Sequence, residues 1–403
     1  MGAIVRPRRA HCRAGGAGVS AFVAGNAVAL LENGQAYFPA LLEEIDAAAR
    51  EIFLETYIFE DDATGAQIAA ALGRAALRGV RVNVLVDGFG GRSFVRGLMP
   101  RLLADGVRVL IYRRELKALS LRRHRLRRLH RKLVVVDARV AFVGGINIID
   151  DYDRGAPAHP RFDYALRVEG PVLTHILAAM HRLWRLVSWA SFRHRSDEAL
   201  LARVAERPAG HLRAAFVIRD NLRHRRDIED AYLDAIAGAR HEVVIACAYF
   251  FPGRRFRQAL VDASRRGVKV VLLLQGLVDH PVLAAASRAL YPHLLAAGIR
   301  LHEYHRSYLH AKVAVVDGRW ATVGSSNIDP FSLLLAREAN LVVDDAGFAA
   351  RLRASLGEAM AAGATELSPP AWRRQRLGRR LWSWLAYQFV RLAIGVAGYG
   401  RKH

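Results

Sequence analysis

An α/β fold repeated twice in one chain is what this sequence predicts: two pseudo-symmetric units, each a mixed or mostly parallel sheet flanked by helices. Three observations carry the prediction. "REIFLETYIF" (50 to 59) parallels "HEVVIACAYF" (241 to 250), and "LRGVRVNVLVDG" (77 to 88) parallels "RRGVKVVLLLQG" (265 to 276). Between these runs, "ALGRAALRGV" and "ALVDASRRGV" have helical spacing and stop on Gly79 and Gly267 ahead of a β-branched run, as a helix does before a buried parallel strand. Lastly, "LHRKLVVVD" (129 to 137) returns as "LHAKVAVVD" (309 to 317).

Taken in order, the chain divides into four parts. Residues 1–23 carry Arg6, Arg8, Arg9 and Arg13 with no apolar run long enough for a signal peptide, and read as a disordered basic arm. Residues 24–207 form the first repeat. Pro208 and Gly210, in "AERPAGH", mark the boundary to the second repeat, residues 208–370. Within each repeat the apolar run between Lys and Asp is a buried strand. "DGRW" (317 to 320) supplies hairpin chemistry before a return strand that ends on glycine. A further strand follows in "FDYALRV" (162 to 168) and "REANLVV" (337 to 343), with Asp163 and Glu338 at matching points. Residues 371–403 read as a basic amphipathic helix: Leu377, Leu381, Leu385, Phe389 and Leu392 recur as one stripe. Arg391 interrupts the apolar run and leaves it too short to span a bilayer, so that helix is expected to lie in the membrane interface, the alternative being a helix packed on the catalytic core with its arginines in solvent.

Composition narrows the function. The 403 residues are 52% hydrophobic, enough for two domains with substantial cores. Cys12 and Cys247 are the only cysteines and form no paired motif, which fits a reducing compartment. The net charge of +23 is concentrated in residues 1–14, 112–132 and 371–403. Three local basic zones point to a polyanion or an anionic membrane surface.

The repeated motif carries the chemistry. After His130 come Lys132, Asp137 and "GGIN" (144 to 147); after His310 come Lys312, Asp317 and "GSSN" (324 to 327), at identical offsets. Residues two apart on a strand share a face, so each His and Lys project together, and the Gly/Asn turn returns beside them. Attack on a phosphodiester needs a nucleophile, an acid for the leaving oxygen, and positive charge around the phosphoryl oxygens. One neutral imidazole can attack phosphorus while a protonated one serves the leaving alcohol. Lys132, Lys312, Asn147 and Asn327 are expected to donate to phosphate oxygens, with Gly145 and Ser325 in the same turns. Asp163 and Glu338 either hold the histidines through their second nitrogens or are strand-edge charges. Asp137 and Asp317 either complete the catalytic set or start turns. A lysine beside each histidine opposes a cation, so no metal and no other cofactor is expected.

These residues resemble the phospholipase D superfamily, whose signature H-x-K-x4-D followed by G-[GS]-x-N occurs twice in one chain. The resemblance covers roughly residues 24 to 368. More narrowly, "GGINI" with "DYALRVEGP", and "GSSNIDPFSLLLAREANLVV", are similar to bacterial cardiolipin synthases. Those often begin with two transmembrane helices, whereas this chain begins with a polar arm and looks like their shorter subfamily. The resemblance implies an active site between the repeats, His130 as nucleophile, His310 as acid, phospholipid substrates, and a peripheral place on the cytoplasmic face of a bacterial cell membrane. A hydrolase or nuclease using water is the alternative. "LRRHRLRRLHRKL" suits any phosphate, but it lacks the interleaved aromatic platforms of single-strand binders, so nucleic acid is not the expected partner.

Overall fold

The β-branched runs that the sequence repeats become the middle of a single mixed sheet. The computed structural model describes residues 21–113, 127–152, 159–191, 207–220, 223–278, 280–329, 332, 335–368 and 377–396. The basic arm and most of the arginine-rich stretch before His130 lie outside them. The first repeat supplies β1 (Val23–Glu32), β2 (Glu51–Thr56), β3 (Arg81–Asp87), β4 (Arg108–Tyr112), β5 (Lys132–Val136), β6 (Val140–Gly144) and β7 (Tyr164–Glu169). The second supplies β8 (Leu212–Arg219), β9 (Glu242–Cys247), β10 (Lys269–Gln275), β11 (Arg300–Tyr304), β12 (Lys312–Val316), β13 (Trp320–Gly324), β14 (Glu338–Asp344) and β15 (Ala364–Leu367). Across the sheet the order is β15-β11-β10-β9-β12-β13-β14-β8-β1-β7-β6-β5-β2-β3-β4. Apart from the edge strand β15, this order reads alike from either end, so the repeats meet at the antiparallel β1–β8 pair.

The sheet is mixed, as expected, but parallel pairing is its smaller part. Only β2, β3 and β4, and likewise β9, β10 and β11, run parallel; the remaining named pairs are antiparallel. Parallel neighbours need a helical crossover. Helix Ala63–Leu77 makes the first, with Asp62 capping its start by accepting the Gly65 N–H at 2.8 Å. Gly79 at φ +90° and Gly267 at φ +87° end the equivalent helices in a left-handed turn, which costs least at glycine.

One face of the sheet is a single core shared by both repeats, beneath helices Leu173–Ala190 and Ala346–Gly363. It joins Leu133, Leu166 and Leu183 to Val313, Leu341 and Leu352. On the other face each repeat keeps its own core. Helices Asn33–Asp46 and Ala63–Leu77 cover the first; Asp227–Gly238, Arg254–Arg265 and Pro281–Arg288 cover the second. Part of the charge reading changes here. Arg131 and Lys132 are buried, and Arg131 forms a bidentate pair with buried Glu55, so neither is available to an outside polyanion.

Asp137 and Asp317 lie away from the cavity between the repeats, at the turns that end their strands. Each follows the last residue of its strand, five residues beyond the motif lysine, or about 17 Å at strand rise. Asp137 adopts φ +53° and accepts the N–H groups of Ala49, Arg50 and Glu51, each at 2.8 Å. Asp317 at φ +49° does the same for Arg240, His241 and Glu242. The motif aspartate thus fastens its hairpin to the start of the neighbouring β2 or β9. Burial pulls the Asp137 carboxyl up, but the three N–H donors outweigh it and hold the carboxyl below its ordinary range. Asp137→Ala should cost about 1–3 kcal/mol in urea unfolding while the folded variant keeps turnover within a few-fold of wild type. A depressed carboxyl stabilises above its unfolded pKa and loses that contribution as pH falls through the lowered native value. The difference between wild type and variant should therefore close in acid below about pH 4. Loss of turnover without loss of stability would return Asp137 to the site.

Candidate active site between the repeats

The approach to each motif strand is paired with the other repeat. Leu129 bridges Arg337, and Leu309 bridges Phe162, both in parallel sense. The His130 N–H donates to the Arg337 carbonyl at 2.9 Å, and the His310 N–H to the Phe162 carbonyl at 2.8 Å. This exchange sets each histidine beside the first residues of the opposite repeat's last motif strand. His130 Nδ1 lies 3.0 Å from the Glu338 carboxylate and 3.2 Å from the Ser325 carbonyl oxygen. His310 Nδ1 lies 2.5 Å from Asp163 Oδ2. Both partners of His130 Nδ1 are acceptors, as is that of His310, so each Nδ1 carries the proton and donates. Nε2, on the far edge of each ring, is left for chemistry.

Burial tunes these groups. Desolvation pushes both histidines below their ordinary range, His310 further, with Lys312 and Arg161 adding to the effect there. Burial raises Asp163 to about 6 against the pull of Lys312, whose Nζ is 3.7 Å away. Burial thus draws the proton affinities of this hydrogen-bonded pair together, up for the Asp163 carboxyl and down for the His310 imidazole. Lys132 is pushed down to about 7 by burial, with Glu338 opposing. The lysines sit deeper than the sequence implied. Lys132 Nζ donates to the His130 carbonyl at 2.5 Å, Lys312 Nζ donates to the His310 carbonyl, and neither lines the pocket. Asn147 and Asn327 do line it, one from each repeat.

Gly145 and Ser325 occupy matching positions and do different things. A Cβ on Gly145 would fall 2.4 Å from Asp163 Oδ1, so only glycine leaves room for that short carboxylate to reach His310. Ser325 Oγ instead donates to Glu338 at 2.6 Å and accepts the Ala339 N–H at 3.1 Å.

Comparisons with known proteins bear on the family and the fold. The family model described as "Cardiolipin synthase, PLD-like domain" matches residues 41–158 and 232–360. Cardiolipin synthase B of Escherichia coli (strain K12) is 39% identical over 394 residues, covering 94% of this chain and 91% of that protein. The chain belongs to the cardiolipin synthase family of phospholipase D-like proteins. Within that family, cardiolipin synthase B of Salmonella typhi is 40% identical over the same shares of both chains. Cardiolipin synthase A of Pectobacterium atrosepticum is 29% identical, covering 91% of this chain and 76% of that protein. Phosphatidylserine synthase of Haemophilus influenzae Rd KW20 superimposes with a TM-score of 0.71 at 13% identity, over 95% of this chain and 97% of that chain, and shows the shared fold.

Between the histidines of this family member opens a cavity of about 490 Å³, within the range of small-molecule sites. Of the residues around it, Arg128 belongs to the arginine stretch read as suited to phosphate, while sequence reasoning missed Arg161 and Tyr57. Arg128 and Arg161 stand in its wall, the Arg128 guanidinium also lying over the Phe89 ring, and Tyr57 sets its ring 4.9 Å from that of His130. Two positioning residues had a signal in the repeats themselves. Asp87 Oδ2 accepts the Leu129 N–H at 2.8 Å and Gln275 Oε1 accepts the Leu309 N–H at 2.8 Å, so each holds the residue before a histidine. They are the matching residues of "LVDG" and "LLQG".

Gly145→Ala should lower kcat about 100-fold with the fold intact by circular dichroism, because Asp163 must move off His310. Ser325→Ala, which removes one donor from Glu338, should cost only about tenfold. The reverse ranking in steady-state assays would mean that carboxylate placement does not govern the site.

Proposed function

We propose that this protein transfers a phosphatidyl group from phosphatidylglycerol, or another phospholipid donor, to a glycerol hydroxyl of a second lipid, forming cardiolipin through a phosphohistidine. The observation that carries the reading is the pair of imidazoles at one cavity, each held by a buried carboxylate of the other repeat. His130 is the nucleophile. Its Nδ1–H is held by Glu338 and the Ser325 carbonyl, and burial keeps the ring neutral, which suits Nε2 for attack on phosphorus. His310 is the acid. Its pairing with Asp163 lets it carry a proton to the departing alcohol and then take one from the acceptor. Asn147 and Asn327 donate to the phosphoryl oxygens, and Lys132 and Lys312 add positive charge from behind the histidines. The working unit is the pair of repeats, bounded at 24–207 and 208–370.

Phospholipid substrates put the enzyme at a membrane surface, on its cytoplasmic face in a bacterium. Among the described residues no helix is long and apolar enough to cross a bilayer. Helix Leu377–Val396 packs on helix Pro281–Arg288 through buried Ser383, Ala386 and Val390, with the Tyr387 ring 5.4 Å from Phe251. This face leaves the expected stripe outward: Leu381, Leu385, Phe389 and Leu392 are exposed, beside exposed Trp382, Trp384, Arg380 and Arg391. Apolar and indole side chains ringed by arginine fit the headgroup region of an anionic bilayer. Helix Pro281–Arg288 also places Leu283 in the cavity wall, so a single helix stands between the C-terminal helix and the site.

Two outcomes are expected. Acid quench of turnover on phosphatidylglycerol vesicles should trap a phosphatidyl adduct on His130. His130→Ala and His310→Ala should each lower turnover by orders of magnitude, and EDTA should leave it unchanged. An adduct on His310 alone would exchange the two roles, and cleavage of single-stranded DNA without cardiolipin formation would replace the reading. Separately, replacing Leu381, Leu385, Phe389 and Leu392 with Gln should reduce sedimentation with phosphatidylglycerol vesicles at least tenfold while sparing a short-chain soluble diester. Undiminished sedimentation, or conversion of a wild-type dimer to monomer without loss of vesicle binding, would assign the stripe elsewhere.

A further inference from the structure

The pseudo-twofold gives the cavity an internal control, because each wall residue has a partner in the other repeat. His130 and His310 match, as do Asn147 and Asn327. Other partners differ. Phe59 bridges Ile148 in the first repeat, and Phe250 bridges Ile328 in the second. Ile58 and Ile149 flank the first bridge; Tyr249 and Asp329 flank the second. Two aliphatic side chains are thus replaced as a unit by a phenol and a carboxylate. Arg128, two residues before His130, is likewise matched by Tyr308, two before His310. Tyr249, Tyr308 and Asp329 all line the cavity, joined there by His280, whose ring stands 5.4 Å from that of Tyr249. Asp329 is buried, and one of its oxygens accepts the Ser332 N–H at 3.1 Å, which orients the carboxylate.

We infer that the His310 side of the cavity is an alcohol subsite, in which Asp329, Tyr249, His280 and Tyr308 hold the vicinal hydroxyls of a glycerol headgroup. This rests on the phosphatidyl-transfer reading above and goes on to say where the alcohols bind. A carboxylate accepts from two neighbouring hydroxyls, and phenol and imidazole groups both donate and accept, which is the donor and acceptor set a polyol needs. The side is also the one the chemistry requires. In the first step His130 Nε2 bonds to phosphorus, the bond from phosphorus to the glycerol oxygen breaks, and the proton on His310 Nε2 passes to that oxygen. In the second, an acceptor hydroxyl gives its proton to His310 Nε2, its oxygen bonds to phosphorus, and the bond to His130 breaks. Leaving and entering alcohols therefore occupy the same place beside the same acid, and one set of hydroxyl contacts selects both. Water entering there makes few of these contacts, so the subsite favours transfer over hydrolysis.

The test is the product ratio. Purified full-length protein is incubated with phosphatidylglycerol vesicles, and cardiolipin and phosphatidic acid are measured by mass spectrometry. Asp329→Asn keeps the side-chain oxygen that caps Ser332 but loses the anionic acceptor, and should lower the ratio of cardiolipin to phosphatidic acid about tenfold. Tyr249→Phe, an isosteric change, should lower it several-fold. Added free glycerol should divert the wild type to phosphatidylglycerol re-formation, measured with isotope-labelled glycerol, more strongly than it diverts Asp329→Asn. If both products fall together and the ratio holds in both variants, these residues only support the fold and the inference is overturned. A wild type that makes phosphatidic acid but no cardiolipin would instead overturn the transfer reading on which the inference stands.

Discussion

Each imidazole in this site depends on a buried carboxylate at its Nδ1, and the chain supplies that carboxylate from the opposite repeat. Much of the architecture serves that exchange. For Glu338 to reach His130 and Asp163 to reach His310, the approach to each motif strand must run beside the other repeat's last motif strand, which is what the Leu129–Arg337 and Phe162–Leu309 bridges do. Those bridges are short. Their register is held by the β1–β8 pairing and by one core that crosses the repeat boundary under two helices. A repeat on its own would lose both tautomer-setting contacts, so the unit of catalysis is larger than the unit of repetition.

Holding the exchange together means burying Lys132, Lys312, Asp163 and Glu338 within one small region. Isolated burial of any one would be strongly unfavourable, and the four charges offset one another only because they are interleaved. Burial still shows in their proton affinities: against the pull of the opposite charges, desolvation raises Asp163 to about 6 and lowers Lys132 to about 7, which brings an acid and a base that ordinarily titrate far apart into the same pH range. An anionic phosphate entering the cavity favours the charged lysine and the protonated histidine pair. Substrate thus strengthens the electrostatics that act on it.

The sequence made the repeats, the strands that hold the motifs, and the two His–Lys pairs legible, because strand alternation and a buried β-branched run are local properties. What it hid is non-local. Asp163 and Glu338 sit at matching points of their own repeats, and nothing in either repeat says that each serves the other's histidine. Asp137 and Asp317 looked catalytic because a fixed offset ties them to the histidines, but a strand of five residues carries an offset of seven to the wrong end of the sheet. The lysines were expected in the cavity, and backbone carbonyls hold them behind it. For the C-terminal helix, periodicity found the apolar stripe and missed the face that docks. Ser383 and Ala386 are too small and too mixed in polarity to register as a packing surface, yet small side chains are what let helix Pro281–Arg288 approach closely.

Near-symmetry explains why the two halves can nonetheless act differently. Asp163 is one methylene shorter than Glu338, and its turn carries Gly145 where the other carries Ser325. The short carboxylate closes to 2.5 Å on His310 through the space that the missing Cβ leaves, with Lys312 behind it. The longer one stands at 3.0 Å from His130 and shares its oxygen with the Ser325 hydroxyl. A carboxylate that already accepts a hydroxyl proton pulls less strongly on the imidazole. The two imidazoles are thereby held at different distances by carboxylates with different second partners. Two substitutions at matching positions, Asp163 for Glu338 and Gly145 for Ser325, are enough to make the duplicated motif meet its two imidazoles differently.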